Sequence, residues 1–129
     1  MVIDTSAVVA ILRDEPEQQR FSKAIEAAEV RLMSIATFVE ASIAIEGRLG
    51  AEGARELDRF LNRAEIELVP VDLEQGRAAR DGFDLYGKGR HRAALNYGDC
   101  FSYALARTRD EPLLCKGDDF AHTDVVLVS

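Results

Sequence analysis

The sequence predicts an α/β fold, in which a mostly parallel sheet of four or five short strands is flanked by helices on both faces. Two observations predict it. Short apolar runs alternate with longer stretches of helical periodicity, an order typical of right-handed crossovers between parallel strands. No repeat or linker interrupts the 129 residues. That length suits one domain, so we expect a single unit over 1–129.

The first third of the chain predicts two short strands and two helices. Asp4 follows the first apolar run and is a preferred N-cap residue, so it begins the first helix. The stretch DEPE at 14–17 resembles a capping box with proline in the first turn, and it begins the second helix. The predicted ranges are strand 2–4, helix 6–13, a helix after 17 with an apolar stripe of Phe21, Ala24, Ile25 and Ala28, and strand 31–33.

The middle of the chain predicts three helices and one strand. Ser34 is an N-cap residue, and Gly50 ends the helix that begins there. Asp72 and Gln75 have the spacing of a second capping box, before a helix that ends near Gly87. The predicted ranges are helix 34–49, helix 52–64, strand 66–71 and helix 72–87.

The last third predicts a polar loop, an apolar helix and two strands. The loop GKGRHRAALNYG carries the one concentrated basic patch in the chain. Ligands of parallel sheets bind beyond the carboxyl ends of the strands, where Asp4 and the turn at 117–119 are both expected. The predicted ranges are helix 98–108, strand 113–116 and strand 125–128.

Composition excludes several classes of protein. The net charge of −7 argues against a duplex binder with a broadly basic face. No apolar stretch approaches the ~20 residues of a membrane span, and the first residues do not resemble a signal peptide. Two histidines without paired ligand spacing argue against zinc. Cys100 and Cys115 lie among apolar neighbours, which predicts buried free thiols in a reducing cytoplasm.

Lone carboxylates interrupt apolar segments at separate places in the chain. Glu40 projects from a largely uncharged helix stripe, and Asp99 is the only charge between 95 and 106. Each acid has a structural explanation. Asp4 caps a helix, Asp99 complements a helix dipole, Glu40 lies at the edge of a buried face, and the pair Asp118 and Asp119 forms a solvated turn.

Taken together, these acids predict a cation site. Carboxylates that converge from separate segments on one sheet edge repel one another unless a cation neutralises them. Oxygen ligands without a histidine or thiolate cluster favour a hard ion, Mg²⁺ or Mn²⁺. Such an ion activates water and stabilises charge on a phosphoryl group, which is phosphodiester chemistry.

Four segments resemble the successive motifs of the PIN-domain ribonucleases, and they are most similar to the VapC toxins of VapBC toxin–antitoxin systems. The segments are MVIDTSAVVAIL, SIATFVEASIAI, LNYGDCFSYALA and LLCKGDDFAHTDV. The resemblance implies an acidic catalytic pocket in which Asp4 and Asp99 are the most direct Mg²⁺ ligands. Its fourth acid is Asp118 or Asp119, with Asp118 preferred. The implied residues are Asp4, Glu40, Asp99, Asp118 or Asp119, and Ser6 as support for Asp4.

The resemblance also implies an activity and partners. It implies a Mg²⁺-dependent endoribonuclease toxin, with Mn²⁺ as a possible substitute, that a cognate VapB-type antitoxin inhibits. It implies a homodimer that contacts DNA only through the antitoxin. Lys88, Arg90 and Arg92 are candidates for holding RNA phosphates, and a solvated basic loop is the alternative interpretation.

Other readings of the acids fit the sequence less well. A receiver-like signalling domain needs paired acids after its first strand, where VIDTS has one, and its phosphoacceptor position holds Asp72, which already caps a helix. A haloacid-dehalogenase phosphatase needs a second Asp where Ser6 stands. A catalytically silent toxin-like protein that binds RNA or an antitoxin would keep the fold without the chemistry.

Overall fold

The computed structural model describes residues 1–128 and has a four-stranded parallel sheet at its centre. The strands are β1 (Val2–Ile3), β2 (Leu32–Ser34), β3 (Glu67–Val69) and β4 (Leu113–Leu114). The helices are α1 (Thr5–Leu12), α2 (Gln18–Ala27), α3 (Ile35–Arg63), α4 (Leu73–Tyr86) and α5 (Tyr97–Arg109), followed by a short 3-10 helix, Asp119–His122. The strand order is β3-β2-β1-β4, and every pairing is parallel. The predicted α/β class is confirmed.

Helices cover both faces of the sheet, as predicted. Side chains alternate along a strand, so neighbouring residues of β1 enter different cores. Ile3 packs in the core that contains α1, α2 and α3, together with Phe21 and Leu57. Val2 packs in the core that contains α4 and α5, together with Leu105. A sheet buried on both faces leaves its strand ends as the places where polar groups collect.

The long helix α3 contains a break where the sequence predicts the end of a helix. Gly50 has φ 68° and ψ −160°, a conformation that glycine adopts without the steric cost of a side chain. Ser34 begins the helix, and its side chain accepts a hydrogen bond from the amide of Ala36 at 3.2 Å. The predicted helices 34–49 and 52–64 are therefore confirmed as two helical segments of α3 that are separated by a kink at Gly50.

The predicted capping box at 14–17 is wrong. Glu17 precedes α2 but makes no side-chain capping bond, and Asp14 has a positive φ of 54° in the turn after α1. The carboxylates of Glu15 and Glu17 instead lie 2.7 and 3.4 Å from Lys116 Nζ. An ion pair with a distant part of the chain has replaced the local cap.

Two further predictions need correction. The predicted strand at 125–128 forms only an isolated bridge between Leu127 and Leu113, because β4 is two residues long and offers little edge for pairing. The second capping box is half formed. Asp72 accepts from the Gln75 amide at 2.9 Å, but the Gln75 side chain donates to Thr108 on α5.

The prediction of buried free thiols holds for Cys100 and only in part for Cys115. Cys100 is buried, Cys115 is half-buried, and both thiols are free. Within residues 1–128, no helix combines the length and apolar character that a membrane crossing requires.

Candidate active site

The acidic residues predicted from separate segments approach one another at the carboxyl edge of the sheet. Ile3 pairs with Leu114, so the residues that follow β1 and β4 leave the sheet side by side. The Asp4 amide donates to the Leu114 carbonyl at 3.0 Å, which fixes the start of α1 against the end of β4. Helix α5 packs against β1 and β4, and α3 packs against α1, α5 and β2.

Asp4 is buried, and both of its carboxylate oxygens are hydrogen-bonded. Its residue surface is only 4% exposed. Oδ1 accepts from Ser102 Oγ at 2.6 Å, and Oδ2 accepts from the Ser6 amide at 3.1 Å and from Ser6 Oγ at 2.7 Å. Burying a carboxylate is costly unless donors replace its water, and three donors do so here. The predicted N-cap role is confirmed by the bond from the Ser6 amide.

Glu40 projects from α3 toward the first turn of α5. Its Oε1 accepts a hydrogen bond from Thr5 Oγ1. Its Oε2 lies so close to Gly98 that any β-carbon at that position would overlap it. Burial raises the pKa of Glu40, and the negative charge of Asp4 adds to the effect, while the bond from Thr5 opposes it. Gly98 thus makes room for a carboxylate that the surroundings push toward protonation.

Asp99 belongs to a complete capping box at the start of α5. Its amide donates to Asn96 Oδ1 at 2.9 Å, and its Oδ2 accepts from the Asn96 amide at 3.0 Å. Burial raises the pKa of Asp99 to about 6, against the effect of the Asn96 amide. The charges of Asp4, Glu40 and Asp119 contribute to this raised value. Asp99 therefore lies within the electric field of three carboxylates that come from other segments.

The charge of Asp119 raises the pKa of Asp99, while the preference for Asp118 as the fourth acid stays a prediction. Burial raises the pKa of Cys115 to about 12, and the charges of Asp4, Asp99 and Asp119 contribute. Asp119 begins the short 3-10 helix, whereas Asp118 precedes that helix without a side-chain capping bond. We call Asp4, Glu40, Asp99 and Asp119 the acidic group.

Sequence reasoning missed three residues beside the acidic group. Lys116 donates its amide to Ser6 Oγ at 2.9 Å and so holds the residue that supports Asp4. Ser102 and Thr37 form a buried pair of hydroxyl groups on α5 and α3. A signal existed for the pair, because Ser102 is three residues after Asp99 and Thr37 is three residues before Glu40, spacings that place side chains on one helix face.

The acidic group has the donor chemistry of a hard-cation site. Among residues 1–128, no three His, Cys, Asp or Glu side chains already converge as a ready-made ligand set. The charge of Asp4 nevertheless raises the pKa of Glu40, and the charges of the other three acids raise the pKa of Asp99. The donor atoms of all four residues are carboxylate oxygens. Mg²⁺ and Mn²⁺ prefer such oxygens, and Mg²⁺ keeps several waters, so a few carboxylates suffice to hold it. The residues present fit a divalent hard ion.

The basic loop lies beside α4. Lys88, Arg90 and Arg92 are all exposed. The guanidinium of Arg90 lies 5.3 Å from the centre of the Phe83 ring, and its Nη1 is 3.8 Å from Asp84 Oδ1. Exposed pairs of this length contribute little to stability, which leaves the loop's charge available to a ligand.

Comparison with known proteins identifies the family. A model described as the PIN domain matches residues 1–126. Ribonuclease VapC30 of Mycobacterium tuberculosis is 57% identical over 129 residues, which cover 100% of this chain and 98% of that protein. The chain belongs to the PIN-domain VapC ribonucleases. Ribonuclease VapC of Mycolicibacterium smegmatis is 56% identical over 128 residues, 99% of each chain. The resemblance drawn from four motifs is confirmed, and the chain is an enzyme of a nuclease family.

Solved structures show the same fold at low sequence identity. The structure of VapC20 from Mycobacterium tuberculosis matches with a TM-score of 0.80 and 15% identity, over 98% of this chain and 97% of that one. VapBC2 from Rickettsia felis matches with a TM-score of 0.73 and 13% identity, over 98% and 96% of the chains. Because the chain is a PIN-domain protein, the receiver-like and dehalogenase-like alternatives are excluded.

Proposed function

We propose that the chain is an endoribonuclease toxin of a VapBC system that hydrolyses RNA phosphodiester bonds with Mg²⁺ at the acidic group. The observation that supports this activity best is that the charges of three carboxylates from other segments act on Asp99. An acid that only caps a helix or only faces solvent does not require other carboxylates nearby. The reaction type is that of the family, and the acidic group is its proposed site.

Asp4 and Asp99 are the proposed ligands of the ion, with Glu40 and Asp119 beside them. When bound, the ion would activate water and stabilise charge on the phosphoryl group. Ser6 and Ser102 orient the carboxylate of Asp4 by donating to opposite oxygens. Asp99, with a pKa of about 6, exchanges its proton near neutral pH and is therefore ready to act as an anionic ligand there.

The proposal predicts loss of cleavage when a ligand loses its charge or the ion is removed. Asp99→Asn keeps an oxygen that can accept from the Asn96 amide, so the fold should survive while RNA cleavage is abolished. EDTA should stop RNA cleavage by the wild-type protein, and added Mg²⁺ or Mn²⁺ should restore the cleavage. Asp119→Asn and Asp118→Asn form a matched pair of neighbouring substitutions, of which only the first should reduce the rate. The measurement is cleavage of a labelled single-stranded RNA.

Two results would contradict the proposal. Cleavage that survives thorough chelation would indicate attack by the RNA 2′-hydroxyl with paired acid and base groups. If the wild-type protein binds RNA but does not cleave it in the presence of Mg²⁺, the chain is a catalytically silent toxin-like binder.

The proposed partners are an antitoxin and a second copy of the chain. The structural neighbours include a toxin–antitoxin complex from Klebsiella pneumoniae, and the net charge of −7 suits a partner with a basic segment. Exposed apolar side chains follow one stripe of α3, with Val39 at 49% and Ile43 at 69% exposure, and such a stripe favours protein contact. DNA would be reached only through the antitoxin.

The basic loop is proposed to hold RNA phosphates. Lys88, Arg90 and Arg92 are exposed cations in a chain of net negative charge, so they offer the anionic substrate a favourable place to bind. We propose the cytoplasm as the site of action, since free thiols suit a reducing compartment.

A further inference from the structure

A pair of buried hydroxyl groups connects Asp4 to two helices. Ser102 on α5 is 0% exposed, and Thr37 on α3 is 1% exposed. Ser102 Oγ lies 2.6 Å from Asp4 Oδ1, and Thr37 Oγ1 lies 3.2 Å from Ser102 Oγ. The first contact joins residues 98 positions apart in the chain, so tertiary structure alone creates it.

The protons in this chain of contacts have a fixed direction. An ionised carboxylate can only accept, so Ser102 donates its single hydroxyl proton to Asp4. Ser102 then has only lone pairs left for Thr37, which makes Thr37 the donor of the pair. On the other side, Ser6 accepts from the Lys116 amide and donates to Asp4. Each oxygen of Asp4 is therefore held by a hydroxyl group that has a supporting donor of its own.

The two hydroxyl groups come from the helices that carry the other acids. Ser102 lies one turn after Asp99 on α5, and Thr37 lies about one turn before Glu40 on α3. Ser6, by contrast, is a near neighbour of Asp4 and ties it only to its own helix and the end of β4. The bond from Ser102 is thus the direct link between the carboxylate of Asp4 and the helix that presents Asp99.

We propose that Ser102 is a positioning residue that sets the orientation of Asp4 relative to Asp99 for the divalent ion, and that Thr37 orients Ser102. This inference deepens the proposed function and rests on it. Neither hydroxyl group is a ligand. Each acts through Asp4, in the way that outer partners of metal-binding carboxylates fix their orientation.

The test measures Mn²⁺ binding to the RNA-free protein by titration calorimetry. Ser102→Ala should weaken Mn²⁺ affinity roughly 10- to 100-fold, the usual cost of losing such a partner. Its kcat for RNA cleavage should fall while its KM changes little, because the RNA-binding surface is untouched. Thr37→Val removes the hydroxyl group without changing the volume and should weaken affinity in the same direction, whereas Thr37→Ser should keep wild-type affinity.

A matched control is available on α3. Ser42 donates its hydroxyl proton to the Phe38 carbonyl of its own helix at 2.7 Å. Ser42→Ala therefore removes a hydroxyl group from the same helix as Thr37 without touching Asp4, and it should leave Mn²⁺ affinity unchanged. If Ser102→Ala fails to fold, the Mn²⁺ affinities of Thr37→Val, Thr37→Ser and Ser42→Ala still decide whether the hydroxyl pair has a positioning role.

The outcomes separate this inference from the proposed function. Weaker Mn²⁺ binding in Ser102→Ala and Thr37→Val, but not in the controls, supports a positioning role. A lower melting temperature with unchanged Mn²⁺ affinity would show that the pair only fills a buried space, and would overturn the inference alone. A wild-type protein that binds no Mn²⁺ and cleaves RNA in EDTA would overturn both.

Discussion

Asp4 and Asp72 are both aspartates that cap a helix, but the strands they follow lie at different positions in the sheet. Each follows a strand and accepts a hydrogen bond from an amide in the first turn of the next helix, from Ser6 for Asp4 and from Gln75 for Asp72. Asp72 is exposed, and within residues 1–128 its side chain accepts from that amide alone, at 2.9 Å. Asp4 is buried and accepts two hydroxyl groups in addition.

The difference follows from strand order. Asp72 comes after β3, which lies at the edge of the sheet, whereas Asp4 comes after β1, which has a neighbour on each side. Only the central position brings Asp4 next to α3 and α5, so that its charge acts on Glu40 and Asp99. A helix cap explains Asp72 fully. It explains only one of the three hydrogen bonds that the Asp4 side chain accepts. The burial of Asp4 and the action of its charge on Glu40 and Asp99 favour a site that binds a cation.

The largest predicted effect comes from replacing each capping acid with its amide. Asparagine caps a helix about as well as aspartate, so neither Asp4→Asn nor Asp72→Asn should unfold its helix. Asp4→Asn removes a proposed metal ligand, and its RNA cleavage rate should fall by about 100-fold or more. Asp72→Asn should cleave at the wild-type rate. Equal RNA cleavage rates for the two variants would show that Asp4, like Asp72, only caps a helix.

Glycines on two helices extend the comparison with a smaller effect. A β-carbon at Gly98 of α5 would overlap Glu40 Oε2, whereas one at Gly76 of α4 would meet nothing within 4 Å. Gly98→Ala should therefore displace Glu40 and reduce kcat by roughly tenfold, while Gly76→Ala should raise stability by about 0.5–1 kcal/mol through helix propensity. Steady-state cleavage and thermal unfolding measure both changes.

The result for Glu40 has a clear alternative. If Gly98→Ala loses no activity, then the position of Glu40 seen here is not required for cleavage. Glu40 would then be an acid at the edge of a buried face, which is its structural explanation from sequence.

Local signals in the sequence predicted much of the fold. Alternation of apolar runs and helical periods indicated the α/β class, and the caps at Asp4, Ser34 and Asp72 were each confirmed by a side-chain bond to an amide. Gly50 was predicted to end a helix, and its positive φ shows why. These features depend on a residue and its close neighbours, so a single sequence contains them.

Contacts between distant segments could not be predicted. The carboxylates of Glu15 and Glu17 looked like caps because nothing in their own segment points to Lys116. The choice between Asp118 and Asp119 depends on which side chain the short helix directs toward Asp99. The bond from Ser102 to Asp4 depends on strand order and helix packing together. In each case the deciding partner is about 20 or more residues away.

The smallest predicted effect is a pH dependence of stability that arises from Asp99. Its folded pKa of about 6 is above its ordinary value of 3.8, so the folded protein binds the proton more tightly than the unfolded chain. This contribution to stability is complete below about pH 4 and is lost as the pH rises through about 6. The side chain of the Asp99→Asn variant does not titrate, so this variant does not lose stability in this way as the pH rises.

In EDTA, the melting temperature of Asp99→Asn relative to wild type should therefore rise by a few degrees between pH 4.5 and pH 7.5. Asp72→Asn provides the control, since it replaces an exposed capping acid. With Mg²⁺ present, the wild-type protein should regain stability at pH 7.5, because an ion that binds ionised Asp99 stabilises the folded state. A difference between Asp99→Asn and wild type that stays constant with pH would mean that burial and neighbouring charges do not raise the pKa of Asp99, and the contrast with Asp72 would lose its electrostatic basis.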